Sequence, residues 1–478
     1  MNFDSFEFLL CFLPIVLFFY WFSIKYKKKN IATISLILGS LFFYGYFELK
    51  FIFLIIFSIL FNYYYSNLIS KLNLKLKKKF LFFGILINIL ILIIFKYTNF
   101  FIFSFNQIFN EDLLSFNLIF PLALSFYTLQ QITYLVDRYQ NPNIKISLKR
   151  YFLYVTFFPQ LVAGPIVLLS QVNSQWENIL KPKNLYENFY KGLFFIAIGL
   201  FKKTLISQKF SVLADLGFNN YENISFVSAW ISSISFSFQF YFDFSAYSDI
   251  AVGLALLFNI KLPFNFNSPL KSLSIKEFWT RWHITLSNFI NHYMFIPVLK
   301  IFKNLTLNKI AFSTILIMSI IGLWHGPSIN YLIFGLLHGL GLAFNTFYSK
   351  KNFDIFFGIN VKIKKIIFWT LTFLFVTITF VYFRSETFFQ ANQIIYGLIG
   401  FNDMFNYDQL IIYLSSKSIG KFVIFTSIII FFKNSNEIIS SIKINFINTL
   451  ILSFLFLIIF YLIMYNAIIA NKFIYFNF

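Results

Sequence analysis

Apolar runs long enough to cross a bilayer recur along this chain, and the loops between them alternate in charge. That pattern leaves few folds open, because a chain in lipid must satisfy its backbone internally. The first run ends at KYKKKN (Lys25 to Asn30), and the second, residues 31–47, exits into a nearly uncharged loop. The third returns at KLNLKLKKK (Lys71 to Lys79), and the fourth leaves toward Glu111 and Asp112. The fifth comes back to a loop carrying Arg138, Lys145, Lys149 and Arg150. Basic loops mark the cytoplasmic side, so the N-terminus is expected outside. Later runs at Val361 to Arg384, Gly420 to Lys433 and Asn445 to Tyr465 continue the pattern and place the C-terminus outside as well. Composition agrees with an all-α polytopic membrane protein, since 59% of residues are hydrophobic, 12% are charged and the mean hydropathy is +0.73.

The net charge of +21 does not point to nucleic acid. Its lysines and arginines fall in alternate loops, where positive-inside orientation and anionic headgroups account for them. The start, MNFDSFEFLLCFLPIVLFFYWF, does not read as a cleaved signal peptide, because Asp4 and Glu7 stand where a basic region belongs. One cysteine, Cys11, excludes an internal disulfide and a thiolate metal cluster. The 75 phenylalanines fit an AT-rich genome and are given no functional meaning.

Between Tyr151 and Ser349 the apolar pieces are broken by Pro159, Pro165, Pro263, Pro269, Pro297 and Pro327 and by polar runs such as NFNSPLKSLSIKEFWTRWH. Irregular backbone at membrane depth is tolerated only when buried in protein or lining a cavity. The chain is therefore read as one integral membrane domain over residues 1–478. Residues 1–110 form its N-terminal helices, 111–349 its catalytic core, and 350–478 its C-terminal helices and tail.

Four histidines, His283, His292, His325 and His338, sit in that core. Their spacings of nine and thirteen residues put neither pair on one helix face. No zinc pattern, Walker loop, G-x-G-x-x-G or G-x-S-x-G is present, so no metal is expected. Intramembrane ionisable groups tend to be functional, and a neutral imidazole is the cheapest of them to bury. His325, in GLWHG, therefore stands open between a catalytic and a packing role, and His338, on a glycine-flanked face, reads as packing. Asp243 and Asp249 fall on roughly opposite helix faces and make no acid–base pair; one of them is a candidate to buffer Arg281 or orient His283.

Taken together, QFYFDFSAYSDIAVGLALLFNIKLPFNFNSP, IKEFWTRWHITLSNFI and GLWHGPS with FGLLHGLGL resemble the membrane-bound O-acyltransferases. The nearest branch holds alginate O-acetylation proteins and peptidoglycan O-acetyltransferases, with the D-alanyl transfer proteins more distant. FEFLLCFLP, PLALSFYTLQQITYLVDRY, FFPQLVAGPI and VYFRSE extend the likeness almost end to end. The resemblance implies a ring of transmembrane helices around a thinned, tunnel-containing core with re-entrant segments. It also implies acyl transfer from a cytoplasmic donor to an extracytoplasmic acceptor. The family's active-site histidine falls on His325 and its second histidine on His283. Arg281 is a candidate for an anionic part of the donor, with an ion pair to Glu277 as the alternative. The branch's Arg-Asp-Tyr is replaced here by Asn291-His292-Tyr293, and its glycine pair by Val298-Leu299, so no role is carried onto those positions and His292 reads as structural. The ending NKFIYFNF resembles the aromatic tail of this branch, which implies Tyr475 as an acyl carrier; an interfacial aromatic anchor is the alternative.

These readings converge on transfer of acetyl from cytoplasmic acetyl-CoA across a bacterial inner membrane. The acceptor route runs through an extracytoplasmic esterase-like (Ser-His-Asp) acetyltransferase partner to a cell-envelope polysaccharide. Peptidoglycan is preferred to an alginate-like exopolysaccharide. A protein or lipid acyltransferase of the same superfamily is the first rival. A proton-coupled transporter is the second, although the paired discontinuous repeats it calls for are not seen.

Overall fold

The computed structural model describes residues 1–116, 118–350, 358–401 and 432–466, and these form helices with no strand among the described residues. Eight of those helices are long and apolar enough to cross a membrane. The protein is thus an all-helical polytopic membrane protein. Its chain divides into two compact units, residues 1–200 with 247–264 and 442–465, and residues 201–246 with 265–441 and 466–478.

The first unit begins with α1 (Leu13–Lys25), α2 (Lys29–Gly45), α3 (Phe51–Lys71) and α4 (Leu74–Phe109). Asn73 starts α4 by accepting from Leu76 N–H, and Asn110 ends it in a left-handed conformation, as caps of these types do. Inside, Asn62 of α3 and Asn88 of α4 exchange amide hydrogen bonds of 3.1 and 2.8 Å. α5 (Leu124–Gln140) lies where the fifth crossing is expected, yet it is buried nearly all round and carries Gln130, Gln131 and Thr133 inward. Its residues from Leu124 to Leu135 are all buried, so protein surrounds that stretch. Short helices follow: α6 (Leu148–Thr156), α7 (Phe158–Leu161) and α8 (Leu169–Glu177), then the longer α9 (Leu185–Phe201).

The second unit holds α10 (Gln208–Asn219) and the first part of α11 (Phe226–Leu257). Within the middle third α11 is the long unbroken piece. It runs 32 residues without interruption, because no proline falls in it, and its apolar stretch is wholly buried. Along the chain the breaks fall before it, at α6 to α8, and after it, in α12 (Ile275–Arg281), α13 (Ile284–Phe289) and α14 (Ile296–Leu299). Long helices resume with α15 (Leu307–His325), α16 (Ile329–Lys350) and α17 (Val361–Arg384). α18 (Phe388–Ile399) and α19 (Ser435–Ser441) complete this unit. α20 (Phe446–Asn466) belongs to the first unit up to residue 465, where Phe460 stacks on Phe6. The expected return at Gly420 to Lys433 lies almost wholly outside the described residues, as does Tyr475.

Candidate active site

His325 is the last residue of α15, and the site begins with why the helix stops there. Thr306 opens α15 by accepting from Lys309 N–H. Gly326 follows His325 in an extended conformation, and Pro327 cannot continue a helix. The chain then reverses into α16, and the two helices pack closely enough to exclude side chains. A Cβ on Gly335 would lie 2.3 Å from the Met318 carbonyl oxygen, and one on Gly322 would lie 2.1 Å from that of Tyr331. Glycine is required by proximity here, since the obstacle is backbone.

The imidazole of His325 is buried and edged by aromatic rings. Trp324 lies 4.9 Å away, Phe383 of α17 5.2 Å and Phe334 of α16 6.2 Å, centroid to centroid. Asn330 fixes the α16–α17 end of this wall by donating to the Ser385 carbonyl at 2.8 Å. Arg384, next to Phe383, is paired with Asp215 and lies over Phe218 and Phe236.

His283 is built differently. It is the N-cap of α13, at φ 44° and ψ 54°, a left-handed conformation uncommon for a residue with a side chain. Its Nδ1 lies 3.1 Å from Asn265 Oδ1. That oxygen also accepts from the backbone N–H of Thr285 at 3.1 Å and from its hydroxyl at 2.9 Å. A backbone N–H can only donate, so the amide orientation is settled and Nδ1 must carry the ring proton. Nε2 is then a lone pair. It is buried without a hydrogen-bond partner among the described residues, an arrangement that costs stability unless something visits it. The edge of Phe244 covers the ring at 4.9 Å.

His338 is the contrast. Trp279 Nε1–H donates to its Nδ1 at 3.2 Å, which places the ring proton on Nε2, 3.0 Å from Thr379 Oγ1. The threonine hydroxyl donates onward to the Val376 carbonyl at 2.8 Å. Both nitrogens are engaged in a closed chain, as a packing histidine requires. His292 is exposed, in a wide turn of Ile290–Phe295.

Of the charged candidates, Arg281 forms the ion pair with Glu277, Nη2 to Oε1 at 2.8 Å, and donates to the Asn267 carbonyl at 3.1 Å. Asp243 pairs with Lys203 at 3.1 Å. The group hydrogen-bonded to His283 is the neutral Asn265. Sequence reasoning missed Asn265, Phe383 and the Trp279–Thr379 clamp. The only signal available was a polar asparagine inside an otherwise quoted motif. Among the described residues no three His, Cys, Asp or Glu side chains come together in a metal-binding group.

Comparison with known proteins covers the same region. The model of the membrane-bound O-acyltransferase family matches residues 138–385, just over half of the chain, and takes in His283, His325 and His338. A peptidoglycan O-acetyltransferase of Helicobacter pylori is 37% identical over 83% of this chain and 79% of its own. A probable alginate O-acetylase AlgI of Pseudomonas syringae is 30% identical over 84% and 76%. A teichoic acid D-alanyltransferase of Bacillus subtilis is 27% identical over 49% of this chain and 61% of its own.

Proposed function

Because the chain belongs to the membrane-bound O-acyltransferase family, we propose that this membrane-bound acyltransferase carries acetyl groups from cytoplasmic acetyl-CoA to the outer face of a bacterial inner membrane for O-acetylation of peptidoglycan. The observation that carries this reading is the similarity to the Helicobacter pylori peptidoglycan O-acetyltransferase over most of both chains. The lower identity of the alginate relatives sets an alginate-like polymer second.

A thioester is already activated, so the protein has to supply a base, a hydroxyl and a fixed geometry. In the proposed step His325 takes the proton of an attacking hydroxyl as that oxygen bonds to the acetyl carbon. The carbon–sulfur bond breaks and coenzyme A leaves, its thiolate taking up the proton. Aromatic rings around His325 keep water from competing for the thioester. His283 is assigned as a positioning residue. Its Nε2 lone pair, held by Asn265 and neutral, receives a hydrogen bond from a donor on the substrate. Tyr475 is the proposed first acceptor. A phenol with an ordinary pKa of about 10 needs a base to react, and the phenyl ester formed stays activated. A serine of an extracytoplasmic esterase-like partner then receives the acetyl without further energy input.

Two measurements test this. Deleting the gene and assaying base-labile acetate in purified envelope polymers identifies the polymer. Acetate lost from peptidoglycan supports the reading, and acetate lost only from an exopolysaccharide replaces it with the second one. His325→Ala or His325→Gln, in a protein that still inserts, should lower transfer by about 10²–10⁴-fold. His283→Ala should lower it less, and a dead His283→Ala beside an active His325→Ala reverses the two roles.

A further inference from the structure

Within the first unit, away from any histidine, lies a cavity of about 470 Å³ whose lining includes Lys181, Lys183 and Lys261 but no aspartate or glutamate. From these groups we propose that it is a binding site for a phosphate-bearing ligand, either an anionic lipid headgroup or a soluble phosphate.

Each lysine is held by its backbone rather than by its ammonium group. Gln175 brackets Lys261, its Oε1 accepting from Lys261 N–H at 2.8 Å and its Nε2 donating to the Lys261 carbonyl at 3.0 Å. Asn188 is buried and ties two strands of the wall together. Its amide donates to the Lys183 carbonyl at 3.2 Å and to Asn259 Oδ1 at 2.7 Å. Lys181 N–H donates to the Asn178 carbonyl at 2.8 Å. Tyr20 also lines the cavity, its hydroxyl donating to the Phe258 carbonyl at 2.9 Å. The scaffold's own polar groups are thus used internally, and no side-chain acceptor is found for the three exposed ammonium groups among the described residues. Glu187, whose charge also acts on Lys261, is hydrogen-bonded to Lys191 at 2.6 Å and lies outside the lining.

Three like charges held around one cavity repel one another until an anion enters. One carboxylate would leave most of that charge unmatched, whereas a phosphate offers several acceptor oxygens and one or two negative charges. The volume falls in the ordinary range for small-molecule sites, about 300–1,000 Å³. The cavity also lies on the basic side of the chain. Lys29, in the KYKKKN loop, donates to the Glu177 carbonyl at the end of α8 at 2.6 Å. Basic clusters on that side meet anionic headgroups. The proposal does not depend on acyl transfer, so its failure would leave the proposed function standing.

The test uses the full chain in phosphatidylcholine nanodiscs, with one variant carrying Lys181→Gln, Lys183→Gln and Lys261→Gln together. One arm titrates short-chain phosphatidylglycerol, read by native mass spectrometry. The other titrates inorganic phosphate, read by calorimetry. The expected result is saturable binding in at least one arm, weakened about tenfold or more in the triple variant, with His325-dependent chemistry unchanged when the donor is saturating. Binding of the lipid alone names a headgroup site, and binding of inorganic phosphate alone names a site for a soluble phosphate. No saturable binding in either arm overturns the proposal. So does equal affinity of the triple variant, provided it elutes and melts like the native chain.

Discussion

Gly335→Ala sets two effects of opposite sign against each other, and the structure decides which wins. In an unobstructed helix, alanine is favoured over glycine by about 1 kcal/mol. Here the new Cβ would lie 2.3 Å from the Met318 carbonyl oxygen and 3.0 Å from the Gly322 Cα, both backbone. No rotamer change relieves a backbone contact, so α15 and α16 must separate by somewhat under about 1 Å at this level, which is large in a close-packed interior. Overpacking of this kind costs about 1–3 kcal/mol, so the net expectation is destabilisation by roughly 1–2 kcal/mol after the propensity gain. The functional effect is larger. His325 ends α15 ten residues before Gly335 and depends on the same packing, and a displacement of about 1 Å can cost on the order of 10²-fold in rate. The assay compares purified Gly335→Ala with Leu336→Ala, a neighbour exposed on the outer face of α16, by thermal unfolding in detergent and by acetyl transfer. Leu336→Ala should retain both properties. A Gly335→Ala protein that melts higher than the native chain and transfers acetyl at the native rate would show that the helices are not in backbone contact.

α4 is 36 residues long, about 54 Å at 1.5 Å per residue, so its ends must emerge on opposite sides of a core about 30 Å thick. After Cys11→Ser, Lys75→Cys should react only with reagent on the cytoplasmic side and Gln107→Cys only with reagent outside; the reverse pattern would invert the direction of transfer. Asn62→Leu and Asn88→Leu should each destabilise the chain by about 1–3 kcal/mol by stranding the partner amide, while the double replacement should cost less than the sum, as a double-mutant cycle of unfolding would read. Tyr475→Phe keeps the aromatic ring and removes only the nucleophilic oxygen. Polymer acetate should fall to background in cells expressing it, and native levels would make Tyr475 an anchor.

How much of this was legible in the sequence follows from which interactions are local. The spans and their basic ends were legible because a helix in lipid needs a run of apolar residues with its own backbone bonds, and both are written contiguously. α5 was harder, because a helix surrounded by protein can carry Gln130 and Gln131 inward and so loses the hydropathy that would announce it. α11 was legible as a helix, since Asp243 and Asp249 fall on opposite helix faces, but the partner of Asp243, Lys203, stands 40 residues away and was not.

The histidines show the limit most clearly. His283 and His338 are both buried imidazoles beside tryptophans, and spacing treats them alike. What separates them is which distant groups meet the ring. Trp279 and Thr379 occupy both nitrogens of His338, whereas Asn265 occupies one nitrogen of His283 and leaves the other as an unanswered lone pair. Asn265 stands 18 residues away on an irregular segment, where no helical or strand period connects the two. It meets the ring where His283 adopts a left-handed backbone at the start of α13. The chemistry of a side chain inside a membrane protein is therefore set less by its motif than by which of its hydrogen-bonding positions the fold has already filled. On that criterion His283 differs from His338 in having one hydrogen-bonding position unfilled.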